Sequence, residues 1–227
     1  MRLYLSSYRL GSHEDRVLEL LQGGRRAAII ENALDYIPDE ARRKYQATVY
    51  DPKGEFSNLG IAAESLDLKH YFGDPDGLET TLNKFDLVWV LGGNSFLLRR
   101  AMKQSGFDHV IARLLRDDAI VYGGFSAGAV VMAPTLKGID LMDDPEQLAA
   151  DYDPEIVWEG LGIVDFSIVP HYRSDHSERE TAENAVRFFE QSAMPFRAIS
   201  DGEVIVVKDG TITLLPISAL SSQVSEN

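Results

Sequence analysis

The chain contains no cysteine. That excludes disulfide bonds, thiolate metal sites and a cysteine nucleophile together. Basic residues are scarce: 22 Lys and Arg stand against 36 Asp and Glu, a formal net charge of -14. An acidic surface of that strength repels nucleic acid and anionic membrane, so neither is expected as a partner. No apolar run approaches the ~20 residues of a membrane-spanning helix. The N-terminus, Met1-Arg2-Leu3-Tyr4-Leu5-Ser6-Ser7, is too short and polar for a signal peptide. Internal repeats, low-complexity stretches and linkers are missing too. A soluble, cytoplasmic protein is expected.

What remains is ordinary globular composition. The 227 residues are 44% hydrophobic and 26% charged. They suit one α/β domain over residues 1–217, with a polar tail at 218–227. Short apolar runs alternate with helical patterns. Strands are expected at Arg2 to Tyr8, Arg26 to Glu31, within Ile61 to Leu68 (as Ser65-Leu66-Asp67-Leu68), Phe85 to Leu91, Ala119 to Tyr122 and Ile163 to Val169. Helices are expected at Glu14 to Leu21, after Pro38, at Asp74 to Lys84, from Phe96, at Asp108 to Leu115 and at Glu178 to Gln191. Short strands at Arg197 to Ser200, Glu203 to Lys208 and Thr211 to Leu215 close the chain, the last two joined by a Lys208-Asp209-Gly210 hairpin. This alternation predicts a doubly wound, mostly parallel sheet with helices on both faces. Ligands in such sheets bind at the carboxyl ends of the strands.

The most telling stretch is Ala119-Ile120-Val121-Tyr122-Gly123-Gly124-Phe125-Ser126-Ala127-Gly128. It reads as a buried strand, a sharp turn with Ser126 at its apex, and a helix start. That is the context in which G-x-S-x-G marks a nucleophilic serine. On this reading the Ala127 N–H, at a helix N-terminus, helps to hold an oxyanion. Gly92-Gly93, after the Phe85 to Leu91 strand, offers further unhindered N–H groups at a second strand end. A glycine-rich turn with Ser126 as a simple helix cap is the plainer alternative.

A serine nucleophile needs a base, and the base an orienting acid. Of five histidines, His171 follows a buried strand and Pro170, which ties it to a sheet end. His176 is its rival. Asp201, between the Ala198-Ile199-Ser200 strand and Gly202, is the expected acid, with Glu203 and Asp140 as competitors. The acidic segment 137–160 reads as a solvated loop over the site, without the ligand rhythm of a calcium loop. No metal or other cofactor is expected.

Leu91-Gly92-Gly93-Asn94-Ser95-Phe96, Gly124-Phe125-Ser126-Ala127-Gly128-Ala129, Pro170-His171 and Asp201-Gly202, in this order, resemble the peptidase E (aspartyl dipeptidase) family. The resemblance implies a three-layer αβα fold of the class I glutamine amidotransferase-like type. It also implies a serine peptidase that removes N-terminal aspartate from dipeptides, acting as a monomer or homodimer on a short peptide. By motif, Ser126 would be nucleophile, His171 base and Asp201 acid. Gly93 and Ala127 would give oxyanion N–H groups, while Gly92, Asn94, Ser95 and Arg179 would lie near substrate. The chain departs from the pattern at Val169 (typically Asn), Ser95 (typically Thr), Phe125 (typically Trp or Thr) and Asp201 (Glu in peptidase E). Two other readings stand beside this one. An α/β-hydrolase esterase would need Asp140 or Asp165 as the acid, ahead of the histidine. A non-catalytic binding protein would need none of the triad.

Overall fold

The computed structural model describes residues 1–218; the expected tail, from 219 on, lies outside the described residues. Apolar runs at 2–6, 26–30 and 87–90 become fully or largely buried strands, β1 (Arg2–Ser6), β2 (Arg26–Ile30) and β4 (Leu87–Val90). With β3 (Ala62–Ser65), β5 (Val121–Phe125), β8 (Val204–Lys208) and β9 (Thr211–Leu215) they make a seven-stranded sheet in the order β3-β2-β4-β5-β1-β8-β9. The five strands from β3 to β1 run parallel, and β8 and β9 add an antiparallel edge. Helices α1 (Glu14–Leu21), α2 (Asp39–Thr48), α3 (Pro52–Asn58), α4 (Pro75–Leu82), α5 (Ser95–Ser105), α6 (Phe107–Arg116), α7 (Ala127–Val130) and α8 (Arg179–Ser192) supply the connections. A second, two-stranded parallel sheet pairs β6 (Ser167–Val169) with β7 (Phe196–Ala198). The expected α/β class and mostly parallel sheet are what the molecule has.

Strand alternation divides the core. Leu3, Leu5, Ala28, Ile30, Val88 and Val90 bury one face of the sheet together with α5 and α6. Tyr4, Ala27, Ile29, Leu87 and Trp89 bury the other together with α1 and α3. Parallel strands covered on both faces explain why these runs read as continuous hydrophobic sequence.

Several expected boundaries shift. The third strand, expected within Ile61 to Leu68 as Ser65 to Leu68, is Ala62–Ser65. It is an edge strand with mostly exposed side chains, so no hydrophobic pattern marks it. Leu68–Tyr71 is instead a 3-10 turn, with Asp67 accepting a cap bond from the Lys69 N–H. Of the expected Ile163 to Val169 strand only Ser167–Val169 forms. Leu161, Ile163 and Val164 point their N–H groups back to the Val131 and Met132 carbonyls. Helix α3 was not expected, although Asp51 caps it and Pro52 opens it. Among the described residues no helix is long and apolar enough to cross a membrane.

Candidate active site

The site is assembled from strand ends. Strand β5 pairs with β1 through Ser6 opposite Phe125 and with β4 through Val90 opposite Gly124. The residues after all three strands, Ser7-Tyr8-Arg9, Gly92-Gly93 and Ser126, therefore emerge side by side.

Ser126 sits at φ 48° and ψ -118°, a strained conformation for a residue with a side chain. Its N–H donates to the Ser6 carbonyl at 3.2 Å, and α7 starts at the next residue. This sharp turn works only because the backbone can close up around it. A Cβ on Gly128 would lie 2.2 Å from the Val90 carbonyl oxygen, and one on Gly124 would lie 2.9 Å from the Gly128 backbone. The two outer glycines of G-x-S-x-G thus seat α7 directly on β4 and β5. First-turn N–H groups have no intrahelical acceptor, which leaves the Ala127 N–H aimed outward.

Gly93 has φ 135°, and a Cβ there would meet the Ala33 carbonyl oxygen at 2.5 Å, so the turn admits only glycine. Gly92 abuts the serine, since a Cβ on it would stand 3.0 Å from Ser126 Cβ. Asn94 and Ser95 have a different place from the one expected. The Asn94 side chain caps α5 by accepting from the Leu97 N–H at 2.8 Å and donates to the Asp144 carbonyl at 2.9 Å. Ser95 is buried, and its N–H donates to Asp143 Oδ2 at 2.9 Å. Both brace the Gly92-Gly93 turn from behind rather than lining the cleft.

The second sheet delivers the histidine and the acid. Val169 pairs with Ala198 in parallel register, so the segments leaving β6 and β7 run together. His171 and Asp201 follow those ends. The His171 Nδ1–H donates to Asp201 Oδ1 at 2.8 Å, which leaves Nε2 as the other ring nitrogen facing the cleft. His171 is 2% exposed and has φ 61°. Its N–H donates to Ser7 Oγ at 2.7 Å, and the same hydroxyl donates to Asp201 Oδ1 at 2.6 Å. The Asp201 N–H in turn donates to Ser174 Oγ at 2.7 Å. Burial opposes ionisation of Asp201, but the bonds from His171 and Ser7 outweigh it and hold the carboxyl below its usual range. The competing acids are engaged elsewhere. Glu203 accepts from the Ser200 N–H at 2.8 Å and Asp140 from the Gly138 N–H at 2.8 Å.

His176 lies closer to His171 than its loop position in the sequence indicated. The two rings stack at 3.7 Å with 7° between planes. Burial, and then the neighbouring His171, lower the pKa of His176. Glu178 Oε2 lies 3.9 Å from His171 Nε2. Donor atoms of His171, His176 and Glu178 fall within 4.8 Å of one another, as a metal site would require. His171 Nδ1 is already bonded to Asp201 and His176 Nδ1 accepts from the Glu178 N–H at 3.2 Å, which leaves one nitrogen of each ring and the Glu178 carboxylate as donors.

Ser126, His171, Gly92 and Gly93 line one cleft of about 380 Å³. Its walls are largely apolar, from Leu34, Ile37, Tyr45, Tyr50, Pro52 and Phe125. Arg179 is not brought into it. That residue opens α8 with a side chain 60% exposed and paired with Glu183 one turn on. The arginines that do line the cleft are Arg9 and Arg42. Sequence reasoning missed Ser7, Tyr8 and Arg9, whose only signal was their place at the end of the first strand.

A strained serine at a strand-turn-helix elbow shares its end of the sheet with a part-buried His–Asp pair, the set of groups that serine hydrolases use. The profile of peptidase family S51 matches residues 9–215. An uncharacterised peptidase of Listeria innocua is 34% identical over 154 residues, which is 66% of this chain and 65% of that protein's length. A Drosophila melanogaster protein assigned as an alpha-aspartyl dipeptidase is 28% identical over 222 residues, 94% of this chain and 85% of its own. The crystal structure of a Listeria monocytogenes protein assigned to peptidase E superposes with a TM-score of 0.74 at 25% identity, covering 96% of this chain and 98% of that one. The chain belongs to peptidase family S51, and it is a serine-type peptidase.

Proposed function

We propose that the chain is a dipeptidase that cleaves after an N-terminal aspartate through an acyl-enzyme formed on Ser126. The observation that carries this reading is the His171–Asp201 bond of 2.8 Å, set in the same cleft as the serine elbow. In the proposed reaction His171 Nε2 takes the Ser126 proton as Oγ attacks the peptide carbonyl. Asp201 keeps the imidazole in the tautomer that leaves Nε2 free and stabilises the cation that forms. The Gly93 and Ala127 N–H groups receive the developing oxyanion, in a site where fixed dipoles need no reorganisation. His171 returns the proton to the leaving amine, the C-terminal residue departs, and water, deprotonated by the same imidazole, releases the N-terminal residue.

A cleft of about 380 Å³, lined in part by Tyr45 and Tyr50, has the size for a short peptide. The aspartyl preference draws on the resemblance to peptidase E and on the assignment of the Drosophila relative. It is tested with Asp-Leu, Glu-Leu, Asn-Leu and Ala-Leu, and with Asp-Leu extended by further residues. The reading expects cleavage of Asp-Leu at the highest kcat/KM and weak turnover of the longer peptides. Equal turnover of all four dipeptides would remove the aspartyl preference. Activity confined to esters would remove the peptidase reading.

A further inference from the structure

We infer that Arg9 binds a carboxylate of the substrate, the role that the sequence suggested for Arg179. The inference rests on the dipeptidase reading of the same cleft and names how that cleft selects a charged peptide. Arg9 stands three residues past Ser6, at the end of the strand that runs beside the Ser126 strand, and lines the cleft with Ser126 and His171. Its guanidinium carbon lies 4.5 Å from the ring centre of Tyr50 and 4.9 Å from that of Tyr8. Two aromatic faces fix the plane of the group while leaving its charge in place.

The hydrogen bonds of this arginine are unfinished. Nη2 donates to the Val49 carbonyl at 3.3 Å, the tyrosine hydroxyls of Tyr8 and Tyr45 accept from the guanidinium, and Nε has no partner. Among the described residues no carboxylate lies within ion-pair distance of it. Arg42, the other arginine of the cleft, is already committed to Asp35 at 2.8 Å and to Asp39. A cation that lines a cleft without an ion-paired carboxylate of its own offers its charge to a ligand there. The flat N–H edge of a guanidinium matches the two oxygens of a carboxylate, which lysine cannot reproduce. In a chain of net charge -14 an anionic ligand meets a repulsive background, so an uncompensated cation inside the cleft has a function to perform. Tyr8 joins this group to the reacting residues, with its ring edge-on to Phe125 at 6.1 Å and to His171 at 6.3 Å.

The carboxylate has two sources, the side chain of an N-terminal aspartate and the C-terminal carboxylate of a dipeptide. Calorimetric binding to the Ser126→Ala protein, with and without Arg9→Met, separates them. The peptides are Asp-Leu, Ala-Leu, Asp-Leu amide and Ala-Leu amide. Removing Arg9 is expected to weaken binding of at least one carboxylate-bearing peptide about tenfold or more. Loss confined to the two aspartyl peptides assigns the side chain; loss confined to the two free acids assigns the C-terminus. Arg179→Met, in the same background, is expected to change none of the four. If Arg9→Met lowers the melting temperature, Arg9→Lys, which keeps the charge and the stem, is expected to lose the same discrimination in a folded protein. Unchanged affinities, an equal loss that includes Ala-Leu amide, or no binding of any peptide would overturn the inference. Turnover of the same peptides by the wild-type protein is read separately. Arg9-dependent binding without turnover would sink the dipeptidase reading alone, and turnover without Arg9 dependence would sink this one alone.

Discussion

At Ser7 one hydroxyl ties two sheets together. It accepts from the His171 N–H and donates to Asp201, so the residue after β1 holds both members of the pair carried by β6 and β7. This places His171 and Asp201 relative to the Ser126 elbow, which the same strand β1 supports through the Ser6 carbonyl. Replacing Asp201 with Asn should keep this frame, because an amide oxygen still accepts from Ser7. It should also remove the negative charge that stabilises the imidazolium and lower turnover by up to ~10⁴. Glu203→Gln is expected to stay within a few-fold of wild type, since Glu203 bonds the Ser200 backbone instead. Steady-state kinetics of the two variants decide it, and a crippled Glu203→Gln beside a competent Asp201→Asn would reverse the assignment. Ser126, His171 and Asp201 could be picked out in the sequence because glycine or proline punctuates each strand end where they stand. Ser7, Tyr8 and Arg9 could not. They follow a strand without any such mark, and their importance comes from the pairing of β1 with β5, which no local pattern encodes.

Among the elements, the acidic loop over α5 combines two roles. Asp144 and Asp143 bond Asn94 and Ser95, so the loop anchors the helix whose entrance forms the Gly92-Gly93 turn. A carboxylate at a helix N-terminus is ordinarily favourable. Burial nevertheless raises Asp143 to about 6, and Glu178 adds to this, while the Ser95 bonds and His171 oppose it. The folded state therefore holds a proton that the unfolded chain, with an ordinary carboxylate near ~3.9, has already lost. Stability falls as pH rises through that interval and stays lower above pH 6. Asp143→Asn, whose amide oxygen still accepts from Ser95, should raise the melting temperature relative to wild type at pH 8 and not at pH 4. The same shift at both pH values would mean that the charge of Asp143 is not what costs stability. The loop was expected to be irregular and to lie over the site; it packs on the entrance to α5 instead, and no residue of 137–160 lines the cleft. Its individual bonds were not legible, because Asp and Glu spaced along a loop carry no periodicity. The edge strand β3 was expected a few residues too late for the complementary reason that its residues are too exposed to show a buried run.

For the molecule as a whole, the topology concentrates chemistry at one end of the sheet. Three adjacent strand ends, from β4, β5 and β1, meet the ends of β6 and β7, and the cleft lies between them. That is where a mostly parallel sheet is expected to hold a ligand. The parallel core was readable from its continuous hydrophobic runs. The separation of β6 and β7 into their own sheet was not, because short strands carry no record of their partner. The account makes Ser126 the nucleophile of a covalent reaction, and one comparison tests that most directly. Hydrolysis of Asp-Leu is measured with the wild-type protein and with Ser126→Ala at matched melting temperatures. Loss of the nucleophile is predicted to lower kcat by ~10⁶, to background. A folded Ser126→Ala protein that kept more than about a hundredth of wild-type turnover, far above that loss, would contradict the serine mechanism.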